Sequence, residues 1–299
     1  MTRRLVIGRQ GAVIGRRGTV ALGLAALVAT PLRAQQKTPR IVSVGSALTE
    51  IFYALGADDM LAGVDTTSLY PPQAKSLPQV GYMRALSAEG VLSLKPTLIM
   101  ATTAAGPAST LDQLKATGIE IAILPDQYDY DSVIKKIEAV GKATGKVAEA
   151  NALIAQGRAD MKALADRLSG APKRPRVLFL MSMSGGAPQA AGRDTAADGI
   201  IRLAGGVNAV DGYAGYRPLT PEAVIASRAD YVLVPRQSVE SMGGIDKVLD
   251  QPAIRQTPAG RAGKLLQFDI LLLLGFGLRT PQAATELAAA LHPELAKAN

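Results

Sequence analysis

The sequence predicts an α/β fold, and three patterns predict it. Short β-branched runs alternate with helix-forming stretches before residue 130, and the same alternation resumes after residue 175. Such alternation pairs strands in parallel through helical crossovers. Between the two series the chain from Asp131 to Leu168 is almost wholly helix-forming, rich in Ala and Lys.

Taken in order, Ile41 to Val44 reads as a strand, Ala47 to Leu55 as a helix and Leu61 to Val64 as a second strand. A short helix over Ala88 to Leu94 precedes a third strand, Thr97 to Met100. Leu111 to Thr117 is helical, and Glu120 to Leu124 is a fourth strand. Gly141 and Gly145 are expected to divide the helical block. Its second piece, Lys146 to Leu168, would be roughly 35 Å long. Ser169-Gly170-Ala171-Pro172 stops it. The second series has strands over 177–180, 231–234 and 264–268. Helices fall over Thr195 to Leu203, ended by Gly205-Gly206, over Pro221 to Ala226 with Thr220 as N-cap, and over Pro281 to Leu295. Periodicity fits two α/β lobes flanking one long helix, and it equally fits one continuous α/β domain.

The N-terminus reads as an export signal. Residues 1–34 carry six arginines and no acid, followed by the apolar run Val20 to Ala29 and a small residue, Ala34, before Gln35-Gln36. That run is too short to span a bilayer. Arg16-Arg17 loosely matches a twin-arginine signal, so Sec and Tat export both fit. The whole chain has 33 basic and 25 acidic residues, a net of +8, and without the leader it has 27 against 25, a net of +2. The basic character therefore belongs to the leader, and no nucleic-acid surface is expected. There is no cysteine. Disulfides, thiolate metal sites and a lipid-modified cysteine are excluded, and a large core must stabilise the exported chain.

Catalytic constellations are sparse. The one histidine, His292, lies in Leu-His-Pro-Glu near the C-terminus and is expected to cap the last helix or to face solvent. Cys–His chemistry is absent, and neither a Gly-x-Ser-x-Gly elbow nor a P-loop occurs. Zinc or copper sites built on His or Cys are ruled out. A carboxylate-based periplasmic enzyme remains the reading of a different class.

The binding candidates lie where strands end. Tyr70 is on the proline-stiffened loop Asp65-Thr66-Thr67-Ser68-Leu69-Tyr70-Pro71-Pro72, after strand 61–64. Ligands of open α/β sheets bind at such places, and a phenolate oxygen can ligate ferric iron. A packed tyrosine with a hydrogen-bonded hydroxyl is the plainer reading. Arg236 follows strand 231–234, and Arg84 follows Gly81-Tyr82; guanidinium groups match carboxylates in a bidentate fork. Met181 and Met183 follow strand 177–180 and suit packing on an aromatic face. Glu50 and Glu222 lie on the first helix of each series, where the helix dipole favours an acid.

The words Asp65 to Ser68, Tyr70-Pro71 and Leu77-Pro78-Gln79-Val80-Gly81-Tyr82-Met83-Arg84 resemble the haem-binding loop of the periplasmic haem-binding proteins of bacterial haem-uptake ABC transporters. These belong to the class III, cobalamin- and siderophore-type binding proteins. The resemblance runs from about residue 40 to 297. It implies two Rossmann-like lobes joined by one long helix, with the ligand cleft between them. The implied boundaries are 1–34 for the signal peptide, 35–145 and 172–299 for the lobes, and 146–171 for the connecting helix.

The resemblance also implies a cargo and partners. Ferric haem b would be the transported ligand, with Tyr70 as axial ligand to its iron, Arg236 and Arg84 on its propionates or near the tyrosine, and Met181 and Met183 against the porphyrin. Some relatives hold a second haem with a histidine in the 181–186 loop. This chain has none there, so one haem per chain is expected. Glu50 and Glu222 would dock arginines of an inner-membrane permease, itself paired with an ATPase, and an outer-membrane haem receptor system would act upstream. The expected state is a periplasmic monomer that binds no nucleic acid and catalyses nothing. A ferric siderophore or a corrinoid is the alternative cargo.

Overall fold

The computed structural model describes residues 39–182 and 188–296. The leader over 1–34 and Met183 lie outside the described residues.

The first series builds a parallel sheet. β1 (Ile41–Val44) is buried along its whole length, as a strand covered on both faces must be. It leads through Gly45 into α1 (Ser46–Ala54), and then come β2 (Leu61–Val64), a hairpin of β3 (Gly81–Tyr82) and β4 (Ala85–Leu86), and α2 (Ala88–Ser93). β5 (Leu98–Thr102), α3 (Ala108–Ala116) and β6 (Glu120–Leu124) complete it. The strand order is β2-β1-β5-β6, all parallel. The chain moves from β1 to one neighbour and later returns to its other side, so the crevice beyond the carboxyl ends of β1 and β5 is a topological switch point. Ligands collect at such points.

α4 (Tyr130–Thr144) and α5 (Val147–Leu168) form the helical block. Gly145 divides them in a left-handed conformation, φ 72°. Gly141 does not divide them, contrary to expectation. It stays inside α4 because the two helices cross there, where a Cβ at 141 would lie 2.5 Å from the Ala150 Cβ. α5 is 22 residues long, as expected of a spanning helix, and packs on α4 and on the last helix.

The second series forms a mixed sheet. β7 (Arg176–Ser182), β8 (Gln189–Ala191), α6 (Ala196–Leu203), β9 (Val207–Asn208) and β10 (Tyr216–Pro218) are followed by α7 (Pro221–Ala226) and β11 (Tyr231–Pro235). Four short helices come next: α8 (Arg236–Ser241), α9 (Ile245–Leu249), α10 (Pro252–Arg255) and α11 (Pro258–Arg261). β12 (Leu265–Phe268), α12 (Ile270–Leu274) and α13 (Thr280–Leu291) close the chain. The order is β10-β8-β7-β11-β12, with β9 beside β7. β7, β9, β11 and β12 are parallel, whereas β8 and β10 form an antiparallel edge.

One apolar cluster runs through both series. It joins Ile41, Leu48 and Phe52 to Val133 and Ile137 of α4, then to Phe179, Ile200 and Leu287. Each such side chain, fully buried, contributes about 1.5–3 kcal/mol. α13 stops at Leu291 instead of reaching Leu295, because Pro293 cannot continue a helix. His292 caps it and is buried, 1 % exposed, so the solvent-facing alternative fails. No described helix is long and apolar enough to cross a membrane.

Candidate ligand cleft

A buried carboxylate shapes the loop that carries Tyr70. Asp65 is 0 % exposed. Its Oδ1 accepts hydrogen bonds from the Gly45 amide at 2.8 Å and the Ser68 hydroxyl at 2.9 Å. Its Oδ2 accepts from the Thr67 amide at 2.9 Å and from the Thr67 hydroxyl. Ser68, Thr49 and Ser43 extend the network into α1 and β1. The Asp-Thr-Thr-Ser string thus ties the loop to the first helix, and Tyr70 is delivered at the rim, 41 % exposed.

Arg279, at the start of α13, closes over it. The guanidinium carbon lies 3.7 Å from the centroid of the Tyr70 ring, within cation–π range. Its Nε donates to Glu50 Oε2 at 3.0 Å, and its backbone amide donates to Glu50 Oε1 at 3.2 Å. Glu50 is therefore not the exposed acid expected of a docking residue. It is 9 % exposed, and its carboxylate is turned onto Arg279. Burial raises the Glu50 pKa, and the opposing pull of the Arg279 charge and hydrogen bonds does not cancel that effect. Glu50, Arg279 and Tyr70 line one small recess with Ser46, Ala47 and Phe276.

Ser46, Ala47 and Phe276 also belong to the wall of a larger cleft of about 520 Å³. Arg84, Tyr82 and Met83 from the β3–β4 hairpin enter it from the first sheet, and Thr102 enters at the end of β5. Met181, Tyr216, Ile270 and Leu274 face them from the second. Met181 is the penultimate residue of β7 and not part of a loop, since β7 extends two residues further than the sequence predicts. Tyr128 packs edge-on against Phe276, with ring centroids 5.5 Å apart. Burial raises the pKa of the Tyr128 phenol and pushes that of Tyr216 up to about 12. Both stay neutral at ordinary pH.

Asp126 lies on the cleft wall and pairs with Lys136 at 2.5 Å. The Lys136 ammonium, 1 % exposed, also reaches the Phe276 carbonyl at 3.4 Å. This buried cation joins a loop of the first series to the cleft wall of the second. Among the described residues no His/Cys/Asp/Glu cluster could hold a metal ion.

The structure brings together Tyr70, Arg84, Met181 and Glu50 around the recess and cleft. Arg236 begins α8 at the carboxyl end of β11, the strand-end place expected, but it is exposed and lines neither space. Glu222 is exposed in the first turn of α7, whose N-cap Thr220 accepts from the Ala223 amide. Its counterpart in the first series is Glu89, which sequence reasoning missed. Glu89 is exposed in the first turn of α2, and N-cap Ser87 accepts from the Gly90 amide. Each glutamate stands two residues after its hydroxyl cap, on the short helix before a buried strand, and that shared spacing was a usable signal. Arg279 was missed because nothing in its neighbourhood marks a partner 229 residues away.

Comparison with known proteins agrees with this architecture. The family model of periplasmic binding proteins matches residues 41–269. The periplasmic haem-binding protein BhuT, solved in complex with two haems, superposes with a TM-score of 0.82 at 40 % identity, covering 86 % of this chain and 99 % of that one. The periplasmic haem-binding protein RhuT from Roseiflexus sp. RS-1, solved in apo form, gives 0.80 at 42 % identity, with the same coverage. The vitamin B12-binding protein of Yersinia pestis (strain Pestoides F) is 29 % identical over 220 residues, 72 % of this chain and 74 % of its own. The two-lobe α/β fold is shared with these solute-binding proteins, which are not enzymes.

Proposed function

The chain belongs to the periplasmic binding protein family, the solute-binding components of ABC uptake systems, and from that premise we propose that it captures ferric haem in the periplasm and delivers it to an inner-membrane permease and its ATPase. The observation that carries the reading is Tyr70, held at the rim of the cleft by the Asp65 loop with a guanidinium against its ring. A phenolate oxygen is a hard anionic ligand suited to Fe(III), and the Arg279 guanidinium lies against the ring that would carry it. The cleft adds apolar contacts from Phe276, Leu274 and Met181 for a flat macrocycle and Arg84 for an anionic edge. Similarity to BhuT and RhuT supports haem as the cargo.

Haem b, one per chain, and a monomeric carrier complete the proposal, with a leader removed near Ala34 and an outer-membrane receptor system upstream. For docking we propose Glu89 with Glu222, one exposed acid per lobe, in place of Glu50 with Glu222. Arg236 is left as a surface residue near the cleft end of β11. Similarity to the vitamin B12-binding protein keeps a corrinoid as the second reading. Reconstitution with haemin separates the two. A Soret band with tyrosinate charge-transfer absorption, lost in Tyr70→Phe, is the expected result. Corrinoid binding without a haem spectrum would reverse the assignment.

A further inference from the structure

Among the described residues two charged side chains line the main cleft, and their signs are opposite: Arg84 and Asp126. Arg84 sits in the turn of the β3–β4 hairpin and is exposed. It takes part in none of the ion pairs among the described residues. Asp126 follows β6, and its amide donates to the Thr103 hydroxyl at 3.2 Å, just past the end of the neighbouring β5. The backbone thus fixes an acid on the cleft wall.

Both charges reach the same cleft tyrosine. Burial is the main reason that the Tyr128 phenol holds its proton more tightly than a free one; Asp126 adds to the effect and Arg84 opposes it. Left unpaired, Asp126 would offset the charge of Arg84 and offer it a partner inside the cleft. A ligand with a carboxylate edge would then meet no net charge, and the guanidinium fork would be occupied.

The fold removes this conflict from behind the wall. Lys136 of α4 is 1 % exposed, and its ammonium lies 2.5 Å from Asp126 Oδ1. The same ammonium donates to the Phe276 carbonyl at 3.4 Å, which holds it in place from the second series. Replacing a buried ion pair by apolar side chains is often neutral or stabilising, so stability alone is a weak reason for this pair. Its position gives a stronger one: the lysine side is dry, whereas Asp126 faces the cleft.

We infer that Lys136 is a specificity-determining residue that acts without touching the ligand, by neutralising Asp126 and so leaving Arg84 free to select ligands with a carboxylate edge. The inference rests on the haem reading, in which those carboxylates are the propionates. The cleft then presents one net positive charge, and a macrocycle without free acid groups gains nothing from it.

The test compares haemin with its dimethyl ester, which keeps the iron and the ring but removes both charges. Lys136→Gln removes the cation and keeps a hydrogen-bond donor. Lys136→Gln with Asp126→Asn removes both charges of the pair. The parent chain should bind haemin about tenfold or more tighter than the ester. Lys136→Gln should lose about tenfold for haemin and little for the ester, because the uncompensated carboxylate opposes the propionates and captures Arg84. The double variant should recover the parent's preference, with the Tyr70-dependent spectrum present throughout. Where Lys136→Gln alone does not fold, the double variant still decides, since a lost preference there would mean that Lys136 does not act through Asp126. Equal losses for acid and ester in Lys136→Gln would make the lysine a structural support only. An unchanged preference in that variant, or a parent that binds acid and ester alike, would also overturn the inference, and each of these results leaves the haem reading standing. A parent that gives no Soret change with haemin or with the ester would overturn the haem reading itself.

Discussion

Arg279 stacks its guanidinium on the ring of Tyr70, 3.7 Å from the centroid, while its Nε holds Glu50 at 3.0 Å. One side chain from the start of α13 thus joins a loop and a helix of the first series. It places a positive charge against the group proposed to bind iron.

Arg279→Gln removes that charge. Ferric haem should still bind through Tyr70, but more weakly than in the parent, because the guanidinium no longer stacks on the ring of the proposed ligand. Stability should fall by about 1–3 kcal/mol, since a buried carboxylate is left without its partner. Glu50→Gln in the same chain should recover much of that stability and none of the lost haem affinity. Haem affinity equal to the parent's in Arg279→Gln would show that Arg279 is only a clasp.

Glu50 also predicts a pH dependence. Burial raises its pKa above the usual value of 4.5 despite Arg279. The folded chain therefore holds the Glu50 proton more tightly than the unfolded chain does. The resulting stability is fully present below the unfolded pKa and is lost as pH rises through the folded pKa. Glu50→Gln cannot ionise and lacks this slope. In urea unfolding, the stability of the parent relative to the variant should be greater near pH 4 than near pH 8. Equal differences at both ends would mean that Arg279 offsets burial completely.

Much of the first sheet was legible in sequence, because β1, β2, β5 and β6 are short apolar runs set between helix starts and stops. The loop at Tyr70 was legible for the same reason, with Asp65, Thr67 and Ser68 supplying the side chains that fold it. What sequence hid was long-range. Glu50 looked like a surface acid favoured by a helix dipole, and only the approach of α13 makes it a buried partner of Arg279. Gly141 looked like a helix break, and only the crossing of α4 and α5 makes it a packing contact. The short helices from Arg236 to Arg261 carry little periodicity, each being six residues or fewer. The residues around Arg236 therefore gave a position without an orientation.

Stoichiometry follows from the same loops. No histidine is present to hold a second iron in the segment after β7, although BhuT was solved with two haems. Titration with haemin, followed at the Soret band, should break at about one haem per chain, since a single phenolate, that of Tyr70, is proposed as the axial ligand. A break at two would assign a second ligand within the chain, with Met183 and the exposed Tyr82 as the first residues to substitute.

Docking separates capture from delivery. Glu89 and Glu222 occupy equivalent exposed positions, each in the first turn of a helix capped by a hydroxyl, and neither lines the recess or the cleft. Exposed charges of this kind mainly set encounter rate and register with a partner. Glu89→Ala with Glu222→Ala should therefore leave both haem affinity and folding stability essentially unchanged. The same double variant should fail to stimulate ATP hydrolysis by the reconstituted permease complex, and added salt should weaken the parent's stimulation in the same direction. Glu50→Gln provides the contrast: it alters stability and the Tyr70 environment, yet should stimulate ATP hydrolysis normally once loaded with haem. Normal stimulation by the Glu89/Glu222 variant together with lost stimulation by Glu50→Gln would return the docking role to Glu50.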